Sequence, residues 1–177
     1  MTPRINFFGG PGVGKSTLAA RFFIHLKRRG HNVELIQEFV KQYVYTKQTL
    51  TAWGHVYTFG QQFGSELRAL EGGVKRIVTD SPLLLQATYA RYNGCPVYEQ
   101  LAEMSLEFET AYPSINFLVL RTAPYKSAGR WQDEDGAKVW DKLIEQELDL
   151  RDVPYHYINP LDAKAVDQFL DIVESLL

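Results

Sequence analysis

Apolar residues fall along this chain in short runs set between longer stretches of helical period. The runs occupy residues 5–8, 33–37, 76–79, 115–120 and 155–158 and read as buried strands. Segments 15–29, 57–71, 82–92, 97–111, 136–150 and 163–177 read as helices, and Gly30 stops the first of them as a C′ glycine. Strands that alternate with helices predict an α/β chain whose parallel sheet is covered on both faces. The apolar period lapses in "RTAPYKSAGRWQDEDG", residues 121–136, where Arg, Lys, Tyr, Gly and acids concentrate. That profile predicts a mobile functional loop. There is no internal repeat.

Length and composition narrow the class. The 177 residues suit one domain, 1–177, and a content of 45% hydrophobic and 23% charged residues predicts an ordinary folded core. A single cysteine, Cys95, excludes an intrachain disulfide framework. Without a basic-plus-apolar leader or a long apolar span, the expectation is a cytoplasmic protein with no membrane partner. The net charge of -2 gives no global pull toward nucleic acid and leaves room for a local basic patch.

The chemistry enters with "GGPGVGKS", Gly9 to Ser16, which fits G-x-x-x-x-G-K-[ST] and lies between the first strand and the first helix. Glycines let backbone N–H groups turn inward around phosphate oxygens, and the helix start adds partial positive charge. Gly10, Gly12, Val13, Gly14, Lys15, Ser16 and Thr17 are therefore the expected nucleotide cradle. Lys15 is expected on the β- and γ-phosphates and Ser16 on Mg²⁺, with Thr17 a nearby phosphate contact or helix-start residue. No N-K-x-D guanine-reading motif follows a later strand, which argues against a GTPase and leaves a small P-loop phosphotransferase.

Two acids follow strands, Glu38 after the second and Asp80 after the third. Ligands of parallel sheets gather at the strands' carboxyl ends, so both acids are expected to face the phosphate loop. Glu38 suits the base that takes a proton from an attacking hydroxyl. Asp80 suits a Mg²⁺ ligand acting through water, or a share in the base role. Arg130, with Arg121 and Lys126 as neighbours, is expected to close over the γ-phosphate.

The segment between the second and third strands is rich in Tyr, Trp and Gln. Aromatic faces stack on bases and an amide reads a base edge, so Tyr43, Tyr45, Trp53, Tyr57, Gln61 and Gln62 are the candidate acceptor contacts, with Lys126 from the loop. Phe59 and Phe63, four apart on one helical face, read as core. Lys41, Lys47 and Arg68 add positive charge suited to a phosphorylated acceptor, or simply decorate the surface. His25, His31, His55 and His156 have no partner at metal-ligand spacing and read as non-ligands.

Together "GGPGVGKSTLA", the acid in "IQEFVKQYV", "VTDSPLLL" and "LRTAPYKSAGRWQDEDG" resemble the small P-loop kinases of phages and bacteria related to nicotinamide-riboside and deoxynucleoside kinases. The resemblance implies a three-layer P-loop NTPase fold with five strands in the order 2-3-1-4-5. It also implies a lid after the fourth strand, at about 121–136, and ATP as donor. It carries Lys15, Ser16, Glu38, Asp80 and Arg130 into catalytic or metal-holding roles. In related kinases a loop after the fifth strand packs on the adenine, which nominates Asn159 as a base-edge contact. Some members resemble kinases acting on 5-hydroxymethyluracil within phage DNA, and that acceptor is the most specific expectation. The third strand ends in Asp-Ser-Pro, where many deoxynucleoside kinases have an acid followed by Arg-Ser. A kinase of free nucleosides or nucleotides, and an ATPase or regulatory module without acceptor, are the alternatives.

Overall fold

A computed structural model describes residues 4–46, 48–125 and 133–176. Five strands, β1 (Arg4–Phe8), β2 (Val33–Ile36), β3 (Arg76–Thr79), β4 (Ser114–Val119) and β5 (His156–Ile158), form one sheet in the order β2-β3-β1-β4-β5. All four pairings are parallel. The crossovers run through α1 (Lys15–Arg28), α2 (Lys41–Tyr45), α3 (Gly54–Glu71), α4 (Leu83–Tyr92), α5 (Tyr98–Ala111) and α6 (Glu134–Leu150), and α7 (Ala163–Ser175) closes the described chain. The sheet order is the one that the resemblance implied.

Alternation along β1 splits the core into two layers. Ile5 and Phe7 join Leu18 and Phe22 of α1 and Val166 and Leu170 of α7, with Phe7 stacked on Phe117 at 5.4 Å and edge-on to Phe22 at 5.0 Å between ring centres. Phe8 belongs to the opposite layer, with Phe59 of α3, Leu83 and Leu85 of α4, Leu101 of α5 and Ile144 of α6. α1 ends in a Schellman arrangement: Gly30 has φ 83°, its N–H donates to Lys27 O, and the His31 N–H donates to Leu26 O.

Most boundaries shift by one or two residues, and three departures from the sequence reading matter more. β1 begins at Arg4, because the buried guanidinium is paired with Glu66 at 3.2 Å and Glu109 at 3.0 Å and lies over the Phe108 ring. α2 is additional, a five-residue helix that carries no readable period. α3 starts at Gly54, three residues before the expected 57. Among the described residues no helix is long and apolar enough to cross a membrane.

Candidate active site

The loop between β1 and α1 has the backbone its glycines allow. Gly12 and Gly14 adopt φ 84° and 105°, and Gly14 stands as the left-handed N-cap of α1 without a side-chain cap. The helix start therefore keeps N–H groups available to an anion. Gly10 is required for a different reason: a Cβ there would lie 2.4 Å from Asp141 Oδ1. Val13 turns its side chain into the core, so it serves the loop through its backbone. Ser16 and Thr17 are exposed at the first turn of α1.

Lys15 curls over this loop, its Nζ donating to Gly9 O at 2.6 Å and Gly10 O at 3.0 Å. Burial holds its pKa below the ordinary lysine range, opposed by the carboxylates of Glu38, Asp80 and Asp141. Burial likewise pushes the Glu38 carboxyl up; Lys15 opposes this, Asp80 adds to it and Lys41 opposes it. The strand-end rule has thus brought Glu38, Asp80 and Lys15 together, although they come from three separate segments.

Asp80 Oδ2 accepts a hydrogen bond from Ser16 Oγ, while Oδ1 is buried with no hydrogen-bond partner among the described residues. A hydroxyl and a carboxylate in contact, with one carboxylate oxygen left over, are the hard oxygen donors that Mg²⁺ takes. The residues fit that ion.

Three further side chains enter the site. Arg121, two residues past the end of β4, donates from Nε to Asp141 Oδ2 at 2.6 Å and from Nη2 to Asp141 Oδ1 at 3.0 Å and Pro11 O at 2.9 Å. Asp141 Oδ1 in turn accepts the Gly10 N–H at 2.9 Å. The pair clamps the loop backbone to α6, and Arg121 Nη1 remains buried without a partner among the described residues. Tyr89 of α4 lies within electrostatic reach of Glu38, Asp141 and Arg121, and its phenol is pushed well above the ordinary range by burial and by those carboxylates. Its ring meets Trp140 of α6 edge-on at 4.7 Å.

The position of Arg121 at a strand's carboxyl end was a readable signal. Asp141 and Tyr89 lie inside amphipathic helices, where nothing in the pattern separates them from their neighbours.

The acceptor nominees divide. Phe39, next to Glu38, packs against Tyr43 at 6.3 Å and Tyr57 at 5.8 Å between ring centres. Tyr45 and Trp53 stand 68% and 62% exposed. Gln61 is half-buried on α3.

Gln62 requires correction as an acceptor contact, since it is 0% exposed. It shares a helical face with Phe59 and Glu66, turned to the sheet. Asn159 lies in the loop that packs on the phosphate loop, Pro160 coming within 3.5 Å of where a Gly14 Cβ would stand. Its Oδ1 accepts from Thr122 Oγ1 at 2.7 Å and Leu161 N at 3.0 Å. Arg130, Lys126 and Lys47 lie outside the described residues, as does the middle of the expected lid.

The histidines also differ from their spacing. α7 brings Glu174 to His25 and His31, each at 3.4 Å, and Asp171 joins His25 and Glu174 within ligand distance of one another. Arg29 occupies the middle, 3.0 Å from Glu174 and 2.6 Å from His25, which makes this an ion-pair cluster.

A family model described as an AAA domain matches residues 4–165. No curated protein matches the sequence significantly. Among solved structures, the NadR protein in complex with NR superposes with a TM-score of 0.76 at 14% identity, over 98% of this chain and 51% of that one. NadR in complex with NAD and AMP-PNP gives 0.72 at 14%, over 98% and 49%. A thymidylate kinase from Ehrlichia chaffeensis gives 0.67 at 17%, over 99% and 98%. The chain spans about half the length of the NadR chains and nearly all of the thymidylate kinase. These likenesses show a shared P-loop fold.

Proposed function

Since the chain belongs to the AAA domain family, whose phosphate loop it carries in full, we propose that it transfers the γ-phosphoryl group of ATP to a hydroxyl of a nucleoside-type acceptor. The observation that carries this reading is the placement of Glu38, just past the carboxyl end of β2 and within electrostatic reach of Lys15 and Asp80, where burial favours its protonated form. A base there can activate water as well as an acceptor hydroxyl, and a labelled-ATP assay separates the two.

The acceptor oxygen attacks the γ-phosphorus, its proton passes to Glu38, and the bond to the bridging oxygen breaks so that ADP leaves. Lys15 and Arg121 Nη1, which has no hydrogen-bond partner among the described residues, meet the charge that develops on the transferred group, together with Arg130 as the sequence expects. Ser16 and Asp80 would hold Mg²⁺, which neutralises charge between the β- and γ-phosphates. Asn159 offers its amide nitrogen to the base of the donor, its oxygen being engaged within the loop. Tyr43 and Tyr57 border the acceptor beside Glu38, and Gln61 and Lys126 complete the proposed contacts.

Among acceptors we favour a pyrimidine unit, most specifically the 5-hydroxymethyl group of 5-hydroxymethyluracil in DNA. Tyr45 and Trp53 support this, since rings left in solvent on the segments after Glu38 suit a strand that stacks along them. The test offers γ-labelled ATP and Mg²⁺ with free nucleosides, nucleotides, plain DNA and hydroxymethyluracil DNA. Label on the modified DNA supports the full reading, and label on a free nucleoside or nucleotide moves the acceptor. Label in inorganic phosphate alone overturns the kinase.

A further inference from the structure

A buried polar chain crosses the face of the sheet beneath α3 and reaches both acids from behind. Gln62 Oε1 accepts the Phe39 N–H at 3.3 Å, and Phe39 directly follows Glu38. Gln62 Nε2 donates to Thr79 Oγ1 at 3.3 Å and to Glu66 Oε1 at 3.5 Å. Thr79 Oγ1 also accepts the Ser81 N–H at 3.1 Å, and Thr79 and Ser81 flank Asp80. Glu66 is itself anchored by Arg4 at the start of β1.

The orientation of the amide follows from its neighbours. A backbone N–H on one side demands the oxygen, and a carboxylate on the other demands the nitrogen. Gln62, Glu66, Thr79 and Ser81 are all buried, so water cannot substitute for the bonds among them without entering the core, while the Phe39 N–H bond is part-buried. One side chain on α3 therefore ties the end of β2 to the end of β3.

We propose that Gln62 and Thr79 are a positioning pair that sets Glu38 against Asp80, so that base and metal-holding carboxylate address the same phosphoryl group. The pair rests on the reading of those acids given above, and it touches neither donor nor acceptor itself. The segment after β2 is also held by side-chain packing, Phe39 against Tyr43 and Tyr57 with Val40 buried, before it continues into the short α2. The bond to the Phe39 N–H adds a backbone tie directly after Glu38. Misplacing a catalytic group by about 1 Å costs up to roughly 10²-fold in rate, which is the scale on which such a tether acts.

The experiment compares wild type with Gln62→Leu, Thr79→Val and Thr79→Ser by amide exchange at Phe39 and Ser81 and by kcat and KM for ATP. Gln62→Leu is expected to speed exchange at Phe39 by about tenfold or more, the loss of one part-buried bond. It should lower kcat by about tenfold or more while leaving the KM for ATP within about twofold. Thr79→Val should do the same at Ser81, and Thr79→Ser, which keeps the oxygen, should restore both.

Wild-type exchange at Phe39 in Gln62→Leu, or unchanged kcat, overturns the pair. So does an equal loss of kcat and ATP affinity with a falling melting temperature, because that describes general damage. If Gln62→Leu does not fold, Thr79→Val and Thr79→Ser decide by the same readings at Ser81. A wild-type protein that labels no acceptor refutes the kinase reading, and the exchange rates then still judge the tether.

Discussion

The two ends of the site, the phosphate loop and the proposed acceptor end beyond Glu38, are built differently. Around the phosphate loop the side chains are fixed by specific bonds: Lys15 lies on two loop carbonyls, Asp141 holds the Gly10 N–H, and Arg121 clips Asp141 to Pro11, while Asp80 Oδ1 and Arg121 Nη1 keep no hydrogen-bond partner among the described residues. The glycines there are dictated by φ or by close approach. Beyond Glu38 the chain forms one five-residue helix and leaves Tyr45, Trp53 and Tyr57 largely in solvent. A preorganised end suits a donor whose phosphates never vary, and an open aromatic end suits an acceptor that completes the surface on binding. Substitutions at the two ends should therefore fail in different kinetic constants.

The largest effect is expected at Lys15. Lys15→Ala should lower turnover by about 10³-fold or more with the melting temperature held, since the ammonium neutralises phosphate charge and fills no apolar core. Steady-state turnover beside a thermal melt checks this, and near-wild-type turnover would break the comparison at its donor end.

Glu38→Gln comes next, with kcat down about 10²-fold and the KM for ATP nearly unchanged. As a base Glu38 must be deprotonated, and burial has raised its pKa above the ordinary glutamate value of about 4.3. Wild-type kcat should then fall as pH drops through a midpoint above that value, with Lys15, Asp80 and Lys41 as the charges that tune it. Glu38→Gln should lack this acid limb; a retained limb would assign it to another group.

Arg121→Ala should cost about tenfold to 10²-fold in kcat/KM for ATP and leave acceptor KM alone, because the guanidinium serves the phosphate loop. A shift confined to acceptor KM would place Arg121 on the wrong side of the comparison. The smallest effect belongs to Tyr45→Ala and Trp53→Ala. Each should raise acceptor KM by about threefold to tenfold and leave ATP constants unchanged, as stacking on an exposed ring is worth about 1 kcal/mol. Steady-state titration of ATP and acceptor separately reads both.

The same contrast governs what could be read from the chain. Strand runs, helix periods and the G-x-x-x-x-G-K-[ST] pattern are local, so the sheet, its flanking helices and the phosphate loop were legible. The strand-end rule located Glu38 and Asp80 because it is topological, and applied to β4 it also reaches Arg121. Gln62 was misread because an amide among aromatics suits a base edge, yet its i+4 relation to Glu66 turns it inward. Arg4 was left out of β1 because its neutralising partners, Glu66 and Glu109, lie 62 and 105 residues away. His25 and His31 likewise meet Glu174 only through the docking of α7 on α1. Such pairings have no period and no spacing, and only the assembled layers reveal them.

The most direct measurement is a single turnover with enzyme in excess over γ-labelled ATP and acceptor present, dividing the label between acceptor and inorganic phosphate. The account predicts that wild type delivers most of the label to the acceptor, that Glu38→Gln does so far more slowly from a normally bound donor, and that Lys15→Ala delivers none. Label that passes to water at the same rate with and without every acceptor, unaffected by Glu38→Gln, would contradict it.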